Sequence, residues 1–246
     1  MGLGIKLGTA AISGVSGFTN TKSLDFDGIN DFVVTAGTYD PLDGGTTMSI
    51  SVWIKPTTGN TYYMILHNPR NTTANNSQFM LFWWPGTYIE LSLKTRGQYV
   101  RSTAGAITMD VWNHILCCVD LGNVTEGKIY VDGVDVTSGD NLTSFHAFEV
   151  ASGVMRLGEE AQGYLTPFLG NIDEFAIWDT DQRGNVADIY NSGAPGDLSA
   201  LAAPPITWWR NGDKVTSFPT IPDQIGSVDG TATNMDAADI EDDVPS

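Results

Sequence analysis

"SLDFDGINDFV", Ser23 to Val33, decides the reading of this chain. Leu24 and Phe26 alternate with Asp25 and Asp27, the period-two pattern of a half-buried strand. Gly28-Ile29-Asn30-Asp31 interrupts the pattern before Phe32-Val33-Val34 resumes an apolar run. Glycine lets a backbone turn sharply, and Asp and Asn side chains cap the free amides of turns. The stretch therefore predicts strand, turn and strand. Its density of oxygen donors keeps a second reading open. Calcium takes about six to eight oxygens, and Asp27, Asn30 and Asp31 could supply several from one turn.

The same alternation recurs downstream. In "TMSISVWIKP", Thr47 to Pro56, Met48, Ile50, Val52 and Ile54 share one face and Trp53 takes the other. "YYMILHN" and "QFMLFWW" are nearly continuous apolar runs, as in strands covered on both faces. "YIELSLKT" and "QYVRST" predict a hairpin, and so does "GKIYVDGVDV" with its Asp132-Gly133 turn. "VWNHILCCVDL", "VMRLGEE" and "FLGNIDEFAIWD" complete the strand set, while Asn185 to Gly193 is the one helical stretch. Many short strands and one short helix imply an all-β, two-sheet antiparallel sandwich. Leu24, Phe26, Ile50, Val52, Ile54, Ile129, Val131, Phe175 and Ile177 are its expected core. Residues 1–22 read as a small-residue arm, 23–201 as the domain, and 202–246 as linker, extra strand and acidic tail.

Composition narrows the function classes. The 246 residues carry a net charge of −17, so a phosphate backbone would repel the chain and no nucleic-acid partner is expected. No apolar run reaches the length of a membrane span. Cys117 and Cys118 are adjacent and point to opposite faces of a strand, which rules out a fold-closing bridge and favours synthesis in a reducing compartment. The first 18 residues lack the apolar core of a secretory signal.

Taken in order, "SLDFDGINDFV", "MSISVWIKP", "WNHILCCVD", "GKIYVDGV", "RLGEE" and "FLGNIDEFAIWD…IYNSG" resemble the signature strands of concanavalin A-like lectin/glucanase domains of the laminin G-like type, across Ser23 to Gly193. The resemblance implies a jelly roll of two curved sheets, often with calcium at one edge. Similar jelly rolls set the "G-x-I-D-E" strand beside the first strand. On that basis Asp173 joins Asp27, Asn30 and Asp31 as the distant ligand of a structural calcium ion, with a plain turn as the alternative.

Glucanases of this fold carry a nucleophile and an acid/base glutamate on a Glu-x-Asp-x-Glu or Glu-x-Asp-x-x-Glu strand. Here Asn171 stands at the first glutamate position, and Phe175 and Ala176 at the two candidate second ones, so the chain is expected not to be an enzyme. The three histidines lie far apart, none in a nucleophile motif. A saccharide would need aromatic platforms flanked by amides. Trp83, Trp84, Tyr62 and Tyr63 supply candidates, with Asn68, Asn71, Asn75 and Asn76 between them; alternatively one aromatic of each pair is core.

In many laminin G-like modules a segment like "WWRNGD…DQIGSVDGTATNM" precedes the first strand, whereas here it follows the domain. That order, with the small-residue arm, resembles virion structural proteins of tailed phages, particularly marine ones. It implies a capsid-decoration or fibre- and tail-associated component made in a host cytoplasm, homo-oligomeric, partnered by other virion proteins and in contact with host-surface glycan. The other reading is an extracellular, calcium-dependent lectin. The segment Ile206 to Asp213 is expected to add an edge strand, to its own domain or to a neighbour's, and to lie beside the first strand.

Overall fold

A computed structural model describes residues 17–59, 62–70, 77–93, 97–122, 127–142, 147–148, 150–160 and 166–246. The strands run β1 (Ser23–Asp27), β2 (Phe32–Thr38), β3 (Thr47–Pro56), β4 (Tyr63–Pro69), β5 (Ser77–Trp84) and β6 (Tyr88–Leu93). Next come β7 (Gln98–Ser102), β8 (Asn113–Asp120), β9 (Lys128–Val131), β10 (Val134–Asp135), β11 (Thr137–Asp140), β12 (Val154–Leu157) and β13 (Leu169–Trp178). The short helix α1 (Val186–Tyr190), the one α-helix among the described residues, precedes β14 (Thr207–Trp209), β15 (Asn211–Lys214), β16 (Thr220–Ile221), β17 (Gly230–Thr233) and β18 (Ile240–Glu241).

Two antiparallel sheets form. One has the order β10-β9-β8-β3-β13-β1-β18, with β14 also paired to β13; the other runs β11-β7-β6-β5-β4-β12-β2-β17-β16. Between them lies one core that holds all nine residues expected there, Leu24 through Ile177, each nearly or fully excluded from solvent. Period two explains why: Met48, Ile50, Val52 and Ile54 enter this core, while Trp53 faces outward and stacks on His114 and Tyr190. Cys117 joins the same core and Cys118 a second cluster beneath α1, so the two thiols do face opposite ways. Asp132 and Gly133, with φ of 50° and 76°, make the tight β9–β10 turn. At Gly170 a Cβ would fall 2.2 Å from the Lys55 carbonyl oxygen, so only glycine lets β13 approach β3 there.

The C-terminal stretch differs from a linker and a solvated tail. β14 pairs with β13, and β17 pairs with β2 in the other sheet, so this segment extends both layers. Trp209, Ile221 and Ala232 enter the main core. The expected extra strand stays in its own domain, but it flanks β13 at Phe175–Ile177 and not β1, because β1 occupies the same edge of β13 only as far as Ile172. The aspartates of the tail are structural. Asp223 accepts from the amides of Trp208, Ile225, Gly226 and Val228, and Asp236 and Asp239 form a reciprocal capping box. Asp243 takes Trp112 Nε1 and pairs with Lys55. Composition reads the stretch as an acidic tail because it counts charges and cannot see their partners.

Of the expected arm, residues 1–16 lie outside the described residues, as does the loop bearing Asn71, Asn75 and Asn76. Among the described residues no helix is long and apolar enough to cross a membrane. Deleting everything after Pro204 should leave protein that aggregates and shows no cooperative thermal unfolding by circular dichroism. Trp209→Ala alone should cost about 3–5 kcal/mol of unfolding free energy in denaturant titration. A soluble truncation with an unchanged transition would contradict the assignment of this segment to the core.

Candidate functional site

The acidic cluster resolves as a turn. Asp27 Oδ1 accepts from the amides of Ile29 and Asn30 at 2.7 and 3.2 Å, and Asp31 Oδ2 accepts from the Asp27 amide at 2.9 Å. Burial pushes the Asp31 carboxyl up to about 6. Asp173 does not join them. Leu24 pairs with Ile172 and Asp27 with Leu169, so Asp173 lies beside the start of β1 and Asp27 at its end. Four residues of extended strand separate them by roughly 13 Å, far beyond the 2.3–2.6 Å bonds of a calcium shell. Asp27, Asn30, Asp31 and Asp173 therefore do not fit a shared ion. Among the described residues no group of three or more His, Cys, Asp or Glu could hold a metal.

Asp173 belongs to a different construction. A bulge between Asp173 and Ala176 breaks the β13–β3 ladder, and Glu174 adopts φ +48°. Glu174 is buried and accepts from Arg210 Nε at 2.9 Å and from Trp208 Nε1 at 2.6 Å. Arg210 also donates to the Thr19 carbonyl and to Asp213, which in turn holds the backbone amide and hydroxyl of Thr21. Phe18 stacks on Trp208, and the Arg210 guanidinium lies 4.2 Å from the Phe18 ring centroid. Asp173 accepts from Asn20 Nδ2 and from the Glu174 amide. Burial raises the Asp173 carboxyl well above its ordinary range, and the charge of Glu174 adds to this. Burial also lifts Glu174, to about 7, with Arg210 acting in the opposite sense.

The aromatic candidates divide by strand parity. Tyr63 and Trp83 are directly paired across β4 and β5 and pack into the core, so they present no surface to a ligand. Asn68 is also interior: its amide donates to the Tyr39 carbonyl and to Gln78 Oε1. Trp84 and Tyr62 point the other way. Trp84 is 37% exposed, its ring centroid 4.7 Å from that of Tyr62 and 5.9 Å from that of Tyr88.

From Tyr88 the row continues across the sheet to residues not singled out from sequence. The guanidinium of Arg101 lies 4.3 Å from the Tyr88 ring centroid and 3.9 Å from that of Tyr99, and Arg101 Nε donates to Glu90 at 2.6 Å. Tyr88 and Glu90 on β6, and Tyr99 and Arg101 on β7, are i,i+2 pairs whose interleaved neighbours Ile89, Leu91 and Val100 fill the core. That spacing was the available signal. The result is an outward row of partly exposed rings, with Met64, Met80 and Phe82 packed beside Tyr88 on the same face. Such a surface stacks on a flat apolar ring and offers polar edges to hydroxyls.

Two of the three histidines are interior, and His146 lies outside the described residues. His114 accepts or donates to Ser51 at 2.8 Å, and full burial pushes its imidazole down to about 3. His67 contacts Ser77 at 2.9 Å.

A family profile described as the concanavalin A-like lectin/glucanases superfamily matches residues 27–182. Three solved structures share the fold. A candidate carbohydrate-binding protein from Bacteroides ovatus aligns with TM-score 0.64 and 17% identity, over 93% of this chain and 62% of that one. The chain therefore spans less than two thirds of that relative. The heptameric SAP-like pentraxin of Limulus polyphemus aligns with TM-score 0.54 and 17% identity, over 70% and 82% of the two chains. The extracellular region of zebrafish Gpr126/Adgrg6 gives TM-score 0.58 and 11% identity over 91% and 26%. No curated protein sequence matches.

Two outcomes test the buried network. Arg210→Met strands the Glu174 carboxylate in the interior and should cost about 3–5 kcal/mol in denaturant unfolding, with Glu174→Gln/Arg210→Met recovering part of it. Asp173 has a folded value above its ordinary 3.8, so its contribution to stability is full below that pH and is lost as pH rises through the folded value. The melting temperature should thus decline as pH rises above Asp173's ordinary 3.8 and through its raised folded value, less steeply in Asp173→Asn. Equal slopes in the two proteins would remove Asp173 as the titrating group.

Proposed function

Because the chain belongs to the concanavalin A-like lectin/glucanases superfamily, we propose that it is a carbohydrate-binding module whose contact surface is the aromatic row on the outer face of the second sheet. One observation carries this reading: Trp84, flanked by Tyr62 and Tyr88, is held out of the core on a face where its paired neighbour Tyr88 sits beside a fixed cation. Strands β4 to β7 form a rigid base, so stacking a sugar ring there costs little ordering of the protein. What supports binding without turnover is the placement of the carboxylates. Asp173 and Glu174 are interior and committed to Asn20, Arg210 and Trp208, and Glu159 is paired with Arg156 at 2.5 Å. The order of the C-terminal segments supports a virion particle as the setting in which such a module would work, with an extracellular lectin as the other setting.

Trp84→Ala should weaken binding to a saccharide found on a glycan array by at least about tenfold, a loss of roughly 1.4 kcal/mol by titration calorimetry. Its unfolding free energy should fall by about 1–2 kcal/mol through lost contacts with Tyr62 and Tyr88, leaving the protein folded under assay conditions. Unaltered affinity in this variant would move the site elsewhere, and failure to bind any saccharide would end the reading. Location of the chain in purified phage particles at fixed stoichiometry would decide the setting.

A further inference from the structure

Arg101 is more constrained than a surface arginine needs to be. Tyr99 and Tyr88 both lie within cation–π distance of its guanidinium, at 3.9 and 4.3 Å, so its plane is held before any ligand arrives. Its Nε is used by Glu90, while its two Nη groups make no hydrogen bond within the described residues. The pair is unevenly exposed, with 34% of the Arg101 side chain accessible and 3% of that of Glu90. A ligand therefore meets the cation and not its counterion. The Glu90 carboxylate and the Tyr88 and Tyr99 side chains favour the charged guanidinium of Arg101.

The net charge of −17 does not exclude an anion at this point. At physiological ionic strength charges farther than about 8 Å are screened, so the local cation outweighs the distant acids. A guanidinium edge with two free nitrogens matches two coplanar oxygens, the geometry of a carboxylate.

We propose that Arg101 is a carboxylate-reading subsite at one end of the aromatic row, so that the preferred ligand is a saccharide bearing a carboxylate, such as a uronic or sialic acid residue. This rests on the carbohydrate-binding reading and specifies its ligand class. Trp84 pairs with Tyr88 and Arg101 with Glu90, which places Trp84 and Arg101 diagonally across β6. Two strand spacings and two residues of rise put their Cα atoms roughly 12 Å apart, a span for a short oligosaccharide and not one ring. A neutral ring stacks on Trp84 while the acidic one reaches Arg101.

The test uses the full chain and oligosaccharide pairs identical except that the carboxylate of one is reduced to the primary alcohol. By calorimetry the acid should bind about tenfold more tightly than the alcohol, the scale of one charge-assisted contact. Glu90→Gln/Arg101→Met, which leaves no buried unpaired carboxylate, should erase that difference, and Arg101→Lys should keep only part of it. Thermal unfolding of both variants establishes that they fold. Equal affinity of the wild type for acid and alcohol overturns the assignment of Arg101 while leaving the aromatic platform standing. Tighter binding of a sulfated counterpart than of the carboxylate overturns the carboxylate preference. No binding of any pair overturns this inference together with the reading beneath it.

Discussion

The buried ion pair between Glu174 and Arg210 joins the three pieces of chain that cannot hold one another by backbone pairing alone. β1 and β14 lie end to end along the same edge of β13, the first reaching Ile172 and the second beginning at Phe175. A sheet edge cannot pass from one partner to another without a break, and the break falls at Asp173-Glu174, where the bulge and the left-handed φ of Glu174 re-aim the side chains. Such a backbone costs of order 1–3 kcal/mol and persists only where the surroundings over-determine it. Here they do. Arg210 reaches Glu174, Asp213 and the Thr19 carbonyl, and Asp173 holds Asn20, so one cation and four short contacts pin the N-terminal segment and the C-terminal strand to the same point.

The wider fold follows from that seam. With β14 fixed, Trp209 fills the core against Phe175, and the chain beyond it is positioned to give β17 to the opposite sheet and β18 to β1. The acidic C-terminus is thereby consumed by backbone amides and by Lys55 and Lys22. A residue type that favours solvation in an isolated segment becomes a set of caps once the segment has neighbours. The proposed ligand surface, across β4 to β7, lies in the opposite sheet from the seam. The strain of one site is not transmitted to the other as a visible distortion of the β5–β6–β7 ladders, which keep an unbroken register.

Much of this architecture is local and therefore legible in one dimension. Alternation along β1, β3, β9 and β13 identified nine core residues, and the opposite facing of Cys117 and Cys118 followed from their adjacency. The Asp132-Gly133 turn required only the known preference of that dipeptide for positive φ. The ordered strand motifs pointed to the family that the match over residues 27–182 establishes. Tyr62 and Trp84 were legible as candidates, but Tyr88, Tyr99, Glu90 and Arg101 were not, because each stands singly in its strand and the row exists only across strands.

The sequence by itself determined which residues share a face, since the two-residue period is a property of the extended backbone. It could not determine which of two faces is the core when both carry aromatics, as at Tyr62-Tyr63 and Trp83-Trp84; the packing of the second sheet onto the first decided that. Nor could it place Asp173 relative to Asp27, which depends on the register of two strands more than 140 residues apart. The bond partners of Glu174 come from a segment after the domain's own strands, and the order of the tail's aspartates gains meaning only from the amides they meet. Faces are set by local geometry; register, depth and long-range partners are set by tertiary packing.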